Sequence, residues 1–224
     1  MAFSGLPGST RAAPARFRIG IIGAGRIGGK LGELWAKAGY PVMLSARDID
    51  PVKALVAQIG ANARVGTPAE AAAFGEIVVV SVPYATLPQV GHDYAAALKG
   101  KVVLDTCNPN RTRDGDMVNE ALEKGTGVVD PTYLPGTRLV RAFNTVNFHS
   151  LASEAHRSGE LVGIPLASDD KKALRIASQL VRDAGFEPVV VGDLSTAKSF
   201  DTGTPIYGKG LAASEVRAAL GVRP

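Results

Sequence analysis

From Phe17 onward, short apolar runs rich in β-branched residues alternate with longer segments whose apolar positions recur at helical spacing. The apolar runs predict strands over 17–22, 41–44, 64–65, 76–82 and 101–104. The segments between them predict helices over 26–38, 51–59, 68–74 and 86–98. Apolar strands separated by helices are typical of a parallel sheet covered on both faces. The pattern therefore predicts a doubly wound α/β fold of the Rossmann type with a mostly parallel sheet.

Local signals predict where several of these helices begin and end. Gly39 follows the first helix and favours a left-handed cap at its end. Asp50 before Pro51, and Thr67 before Pro68, have the order of an N-cap followed by a proline in the first turn.

Beyond residue 106 the alternation is less regular, and the pattern predicts a small carboxyl-terminal α/β extension. The predicted elements are a polar loop at 108–115, strands at 138–143, 160–167 and 187–191, a helix at 169–184, a loop at 201–210 and a helix at 212–220. The strand–helix–strand unit over 160–191 could extend the sheet or form a separate layer. We predict a mobile leader over 1–16, a nucleotide-binding domain over 17–145, and a smaller substrate or dimerisation portion over 146–224.

Composition and charge exclude several classes of protein. The chain is 46% hydrophobic and 21% charged, which is ordinary for a soluble domain, and its apolar runs are far shorter than the roughly 20 residues of a membrane helix. Arg11, Arg16 and Arg18 account for three of the four net positive charges, so the rest of the chain carries +1 and predicts no nucleic-acid partner. A single cysteine, Cys107, predicts a reducing, cytoplasmic location.

A glycine-rich turn joins the first predicted strand to the first predicted helix. Its residues are Gly23, Ala24, Gly25, Arg26, Ile27 and Gly28. In this context Gly23 permits the tight turn, Gly25 lets the backbone approach a pyrophosphate, and Gly28 lets the helix pack closely on the strand. The free N–H groups at the helix start favour phosphate, so the turn predicts a dinucleotide site.

The end of the second predicted strand distinguishes NAD from NADP. Ser45 stands where an NAD site usually has an acid, and a hydroxyl beside the Arg47 guanidinium can bind a 2′-phosphate. Lys53 could add a second positive charge. These residues favour NADP(H), although Asp48 could instead bind the ribose hydroxyls of NAD if the register differs. An unliganded surface arginine is the alternative for Arg47.

The loop after the fourth predicted strand is expected to pass over the nicotinamide-side ribose, because ligands lie across the carboxyl ends of such strands. Its residues are Ser81, Val82, Pro83 and Tyr84. Tyr84 could lie against the cofactor or pack in the core.

No residue pattern identifies a catalytic group or a metal site. His149 could line an acceptor pocket, whereas His92 is expected to be solvated or to cap its helix, and His156 is expected to be exposed. Cys107 follows a predicted strand end and could face the ligand, although burial is commoner for a lone cysteine. Lys198 could bind an anionic substrate or be solvated. Hydride transfer between two bound rings requires alignment rather than an acid or base, so this pattern is compatible with such a reaction.

Together, these motifs resemble those of a known family. The order of the glycine turn, Ser45-Ala-Arg47, Ser81-Val-Pro-Tyr84 and Arg141-Ala-Phe-Asn-Thr145 resembles the deazaflavin (coenzyme F420)-dependent NADP reductases, and also the nucleotide domain of STEAP-type metalloreductases. The resemblance extends from Phe17 to about Val191. The ending of the chain does not resemble the dimer-forming helices of that family.

This resemblance implies a set of binding residues. Ala24–Gly28 would hold the pyrophosphate, Ser45 and Arg47 the 2′-phosphate, and Ser81–Tyr84 with Asn144 would flank the nicotinamide. It also implies a homodimer, with a deazaflavin or flavin as the second substrate.

Three functions follow as hypotheses. The first is an NADP(H)-dependent oxidoreductase that passes hydride to a small-molecule acceptor such as a flavin-like or deazaflavin ring. The second is a dehydrogenase of a small imine or hydroxy acid, which usually needs a large helical carboxyl-terminal domain with a catalytic lysine. The third is a non-enzymatic sensor that binds NADP(H) and reports the redox state.

Overall fold

In the computed structural model, which describes residues 16–223, one eight-stranded sheet runs through the molecule in the order β3-β2-β1-β4-β5-β6-β7-β8. The strands are Ile19–Ile22 (β1), Val42–Ser45 (β2), Ala63–Val65 (β3), Ile77–Val80 (β4), Val102–Asp105 (β5), Arg138–Arg141 (β6), Gly163–Ala167 (β7) and Glu187–Gly192 (β8). Every position of β1, β4 and β5 is buried, because helices cover both faces of the sheet there. The predicted doubly wound α/β fold is confirmed.

The helices of the described segment are Arg26–Lys37 (α1), Asp50–Ile59 (α2), Pro68–Phe74 (α3), Leu87–Asp93 (α4), Ala95–Leu98 (α5), Arg111–Asp114 (α6), Asn119–Lys124 (α7), Thr126–Tyr133 (α8), Phe148–Ser153 (α9), Lys171–Asp183 (α10) and Ala213–Leu220 (α11). Three short 3₁₀ helices lie at Tyr84–Thr86, Gly115–Val118 and Leu194–Phe200. No helix within residues 16–223 is long and apolar enough to cross a membrane.

The first six strands run parallel, whereas the last two run the opposite way. β7 pairs antiparallel with β6 through Arg141 and Ala167, and β8 pairs parallel with β7. The strand–helix–strand unit near the carboxyl terminus therefore extends the sheet. Trp35 of α1 donates to the Leu180 carbonyl of α10 at 2.8 Å, so one core continues beneath both parts of the sheet.

Several predicted helix boundaries need correction. Asp50 is the first residue of α2 and not its N-cap, because the Asp50 carboxylate instead pairs with Lys53. The predicted helix over 86–98 is interrupted at Tyr94, which leaves the helical region at φ −113° and ψ 14°. The Thr67 cap is confirmed, and Glu70 completes a capping box with it.

The segment between β5 and β6 is more helical than the pattern predicts. The predicted loop at 108–115 contains α6, which begins because the Asn110 side chain accepts the Arg113 N–H at 3.0 Å. α7 and α8 follow it, although Pro131 lies inside α8. These helices pack over the apolar face formed by β4 and β5.

Candidate functional site

The candidate site lies at the edge of the sheet where β1–β6 end. Because these six strands are parallel, the loops that follow them meet at this edge. The strand order reverses between β1 and β4, so the loops after these two strands diverge and leave a crevice. This is where ligands bind in open α/β sheets.

The glycine turn after β1 has the geometry that its sequence predicts. Gly23 has φ +97°, and a Cβ there would lie 2.3 Å from the Ser81 carbonyl oxygen. A Cβ at Gly28 would lie 2.3 Å from the Gly23 carbonyl oxygen, so this glycine allows α1 to pack closely. A Cβ at Gly25 would meet no atom within 4 Å, which leaves open space above the backbone.

The start of α1 is available to an anion. Within residues 16–223 no side chain caps this helix, and its first turn contains no acid. The first N–H groups of any helix lack an intrahelical acceptor, and those of α1 also lack a side-chain cap. The positive end of the helix dipole lies there as well. The Ser45 carbonyl accepts the N–H groups of Gly23 at 3.0 Å and Ala24 at 2.7 Å, which holds the turn in place.

At the end of β2, the prediction that the Ser45 hydroxyl contacts a phosphate needs correction. Ser45 is fully buried, and its Oγ donates to the Ile21 carbonyl at 2.7 Å, so the side chain stabilises the β1–β2 pair. Arg47 is exposed and makes no hydrogen bond to any residue between 16 and 223. Lys53 pairs with Asp50 at 2.9 Å on the exposed side of α2. Asp48 is exposed and accepts the Asp50 N–H at 3.3 Å.

The loop after β4 reaches the crevice with some of its predicted residues. Ser81 and Val82 are half-buried and Pro83 is exposed, so these three lie where a ligand can contact them. Tyr84 does not. Its side chain is fully buried, its hydroxyl hydrogen-bonds the Asp130 carboxylate, and its ring packs edge-on against Tyr133. The prediction that Tyr84 could lie against the cofactor is therefore replaced by the core-packing alternative.

A cleft of about 180 Å³, here called the central cleft, opens between the start of α1, the ends of β5 and β6, and the tail. Its lining residues are Ile27, Thr106, Asn108, Phe143, Asn144, Thr145, Val146, Asn147, Phe148, Tyr207 and Gly208. None of these carries a formal charge, and Tyr207 is the one ionisable side chain among them. The cleft therefore fits a neutral or weakly charged ring with amide-like edges.

The turn after β6 is held in an uncommon conformation. Phe143 has φ +58°, which is unfavourable for a residue with a Cβ. Its ring packs edge-on between Trp35 at 5.9 Å and Phe186 at 6.2 Å, and these contacts stabilise the turn. Asn144 follows, buried, and its Nδ2 donates to the Phe200 carbonyl at 3.2 Å. The turn presents Asn144 and Thr145 to the central cleft.

The tail loop, residues 201–210, closes the opposite wall of the central cleft. Gly208 donates its N–H to the Thr145 carbonyl at 2.7 Å, and Asn147 Nδ2 donates to the Gly208 carbonyl at 3.0 Å. Thr202 Oγ1 donates to Asn108 Oδ1 at 3.4 Å. Together these bonds bring Tyr207 over the ends of β5 and β6.

Sequence reasoning missed part of this wall. Thr106 and Asn108 are polar residues directly after a buried strand, which is a usable signal for a site at the strand ends. Tyr207 has no local signal, because it reaches the cleft only through the bonds of the tail loop to Thr145 and Asn147.

A group of buried charges, here called the Arg141 cluster, lies at the ends of β5 and β6. The fully buried Arg141 guanidinium lies 2.9 Å from Asp105, 3.3 Å from Asp130 and 3.6 Å from Asp201. Asp105 accepts the Cys107 N–H at 2.8 Å, and Asp201 accepts both the N–H and the hydroxyl of Thr126, at 2.8 and 2.6 Å.

The other candidate groups lie outside the central cleft. Cys107 is buried, and burial followed by the Asp105 charge raises the pKa of its thiol, so it is an inert packing residue. His149 is exposed and lies against the Phe148 ring, with 3.9 Å between ring centres. His92 and His156 are exposed as predicted. Lys198 donates to the Glu123 carbonyl at 2.6 Å.

Solved structures show how widely this fold is shared. A hypothetical protein from Sinorhizobium meliloti is 24% identical with a TM-score of 0.74, covering 88% of this chain and 95% of that one. A proposed F420-dependent NADP reductase from Arthrobacter sp. FB24 is 20% identical with a TM-score of 0.71, covering 92% and 96%. An imine reductase from Myxococcus stipitatus is 17% identical with a TM-score of 0.61, covering 84% of this chain but 58% of that one.

The sequence itself matches a family model over the part that carries the phosphate-binding features. No curated protein matches the sequence. The model for NADP oxidoreductases that are coenzyme F420-dependent matches residues 18–109, which include the glycine turn and the ends of β2 and β4. The predicted resemblance to this family is thereby confirmed over residues 18–109, whereas the relation to STEAP-type metalloreductases stays a prediction. Over residues 18–109, this chain is therefore similar to the coenzyme F420-dependent NADP oxidoreductases.

Proposed function

We propose that this protein transfers a hydride directly between the nicotinamide of NADP(H) and a planar flavin-like or deazaflavin ring. The observation that carries the proposal is the lining of the central cleft, to which residues 16–223 contribute no carboxylate, lysine or histidine side chain. A hydride transfer between two stacked rings depends on their alignment, and uncharged amides and aromatic faces can supply it.

The residues present fit an NADP(H) molecule laid across the strand ends. The open space above Gly25 and the free N–H groups of α1 would receive the pyrophosphate. Arg47, with Lys53 behind it, would bind the 2′-phosphate, because a guanidinium matches the geometry of phosphate oxygens. Ser81–Pro83 and Asn144 would flank the nicotinamide in the central cleft.

The bound cofactor would supply the hydride, and the protein would orient it. Phe143, locked between two aromatic rings, would hold Asn144 and Thr145 at a fixed height beside the nicotinamide ring. The tail loop would exclude water and present Tyr207 to the second ring.

One observation favours a second candidate, the reduction of a small imine or carbonyl compound. Such a reaction needs a proton donor, and the Tyr207 phenol is the one ionisable group that lines the central cleft. We rank this candidate second because the imine reductase with the same fold is much longer than the aligned region. A binding-only redox sensor is the third candidate.

An acceptor screen separates these candidates. Oxidation of NADPH is followed with a deazaflavin, a flavin, a quinone and a ferric chelate, and in parallel with a cyclic imine and a keto acid. We expect turnover with the ring acceptors and none with the imine or keto acid. Turnover with the imine that is lost in Tyr207→Phe would establish the second candidate, and tight NADPH binding without any turnover would establish the sensor.

The choice of NADP over NAD is expected to depend on Arg47. Arg47→Ala should weaken NADPH binding roughly 10- to 100-fold, the usual range for losing a charge-assisted phosphate contact, and leave NADH binding unchanged. Calorimetric titration of both dinucleotides measures this. Lys53→Ala is the matched control. We expect it to weaken NADPH binding less, because the Lys53 ammonium already pairs with Asp50. Equal losses for NADPH and NADH in Arg47→Ala would contradict this assignment of the 2′-phosphate site.

Assembly and location are proposals that rest on the resemblance and on composition. A homodimer would show a mass of about twice the 23.2 kDa chain in light scattering after size exclusion. The single cysteine supports a cytoplasmic location.

A further inference from the structure

The Arg141 cluster has more negative than positive groups. One guanidinium faces three carboxylates within 4 Å, and the side chains of Arg141, Asp105 and Asp130 have no exposed surface. Burying charges away from water is costly, so an imbalance of this kind needs a compensating interaction. Hydrogen bonds supply part of this compensation, because Asp105 and Asp201 both accept backbone N–H groups.

The surroundings of Asp130 favour the neutral, protonated form of its carboxyl group. Burial, followed by the Asp105 charge, raises the pKa of Asp130 well above its usual range. The Oδ2 atoms of Asp105 and Asp130 lie 2.9 and 3.3 Å from Arg141 Nη1, but within the described residues neither makes a hydrogen bond of good geometry. Counted by formal charge, three carboxyl groups face one guanidinium, so the cluster is net negative whether or not Asp130 is ionised.

This net charge lies directly behind the wall of the central cleft. Asp105 immediately precedes Thr106, which lines the cleft. On the other side, Asn144 lines the cleft and bonds the carbonyl of Phe200, the residue before Asp201. The nearby charges of Arg113 and Asp114 cancel, since their side chains pair at 2.7 Å. The described lining side chains carry no formal charge. Arg26, whose guanidinium lies over the Phe148 ring at 4.6 Å, is the first residue of α1, where the pyrophosphate would bind.

We propose that the Arg141 cluster binds the oxidised, positively charged nicotinamide more tightly than the reduced, neutral ring. The cluster then determines the relative affinity for NADP⁺ and NADPH, and with it the reduction potential of the bound cofactor. This inference rests on the proposed function, because it requires the nicotinamide to occupy the central cleft. The 2′-phosphate and pyrophosphate are identical in the two redox forms, so their interaction with the cluster cancels when the two affinities are compared. Only the charge of the nicotinamide ring differs.

Asp201→Asn tests the proposal. The substitution removes one charge, while the amide retains an oxygen for the Thr126 N–H and an NH₂ group for the Thr126 hydroxyl. For a charge within about 10 Å at an effective dielectric constant near 20, Coulomb's law predicts a change on the order of tenfold. We expect NADP⁺ binding to weaken by about that factor, with NADPH binding unchanged within about twofold. A tenfold change in the ratio of the NADP⁺ and NADPH affinities corresponds to about 30 mV in the reduction potential of the bound cofactor.

Both affinities are measured by calorimetry on the same preparation, so partial unfolding affects them equally and cancels in their ratio. Asp105→Asn serves as the second variant if Asp201→Asn does not fold, and the same direction is expected. Asp193→Asn is the control, because Asp193 is exposed, and its removal should leave the ratio unchanged. An unchanged ratio in a variant that binds both forms overturns the proposal. Failure of the wild-type protein to bind either form overturns the proposed function instead.

Discussion

Gly25→Ala is expected to weaken NADP(H) binding strongly while the protein remains at least as stable as the wild type. A Cβ at this position would meet no protein atom within 4 Å, and the backbone there has φ −77°, which alanine adopts without strain. The methyl group would instead occupy the space through which the backbone approaches the pyrophosphate. We expect affinity to fall by about a hundredfold or more, equivalent to about 3 kcal/mol. The free energy of unfolding should be unchanged or raised by up to about 1 kcal/mol.

Gly23→Ala provides the contrast. There the added Cβ would lie 2.3 Å from the Ser81 carbonyl oxygen, and φ is +97°. This variant should lose stability as well as binding, because the turn itself must shift. Thermal melts with and without NADPH distinguish the two variants. Wild-type affinity in Gly25→Ala would contradict a pyrophosphate above this turn.

Arg141→Met is expected to destabilise the fold by about 3–5 kcal/mol, the range for removing one partner of a buried ion pair. Methionine can fill much of the volume, but it leaves Asp105, Asp130 and Asp201 without their counter-ion in the protein interior. Arg138→Met is the matched control. Arg138 pairs with Asp170 at 2.6 Å at the partly exposed start of the same strand, and its loss should cost no more than about 1 kcal/mol.

The loss of unfolding free energy caused by Arg141→Met, here called the deficit, should depend on pH in a defined direction. Burial and the Asp105 charge already raise the folded-state pKa of Asp130 above its usual value, and loss of the guanidinium removes the charge that opposes this shift. Such groups stabilise the fold below the unfolded pKa, and this contribution is lost as pH rises through the folded pKa. Urea unfolding should therefore show a smaller deficit at pH 5 than at pH 8. A deficit that grows on acidification would contradict the assignment.

The part of the site that depends on local backbone geometry could be predicted from the sequence. Gly23 and Gly28 serve the predicted steric roles, because the turn between a buried strand and a helix restricts both in a way that spacing alone reveals. The role of Gly25 at a pyrophosphate stays a prediction. The Thr67 cap is local in the same sense.

The parts that depend on distant residues could not be predicted. Tyr84 follows a strand end and a proline, so it resembles a ligand contact. It turns inward because Asp130, 46 residues later, accepts its hydroxyl within the buried network. Ser45 similarly stands at the expected place for a ribose ligand, yet its hydroxyl bonds the neighbouring strand. Tyr207 enters the central cleft only because Gly208 bonds Thr145 across the fold.

Direct transfer between two rings is the central claim, and an isotope experiment tests it most directly. NADPH labelled with deuterium at the transferred position of C4 is oxidised by the protein with a 5-deazaflavin, and both products are analysed by mass spectrometry. We predict that the reduced deazaflavin gains the deuterium, because the hydride passes from carbon to carbon without reaching solvent. Binding of NADPH without its oxidation by the deazaflavin, or recovery of the deuterium in water, would contradict the account.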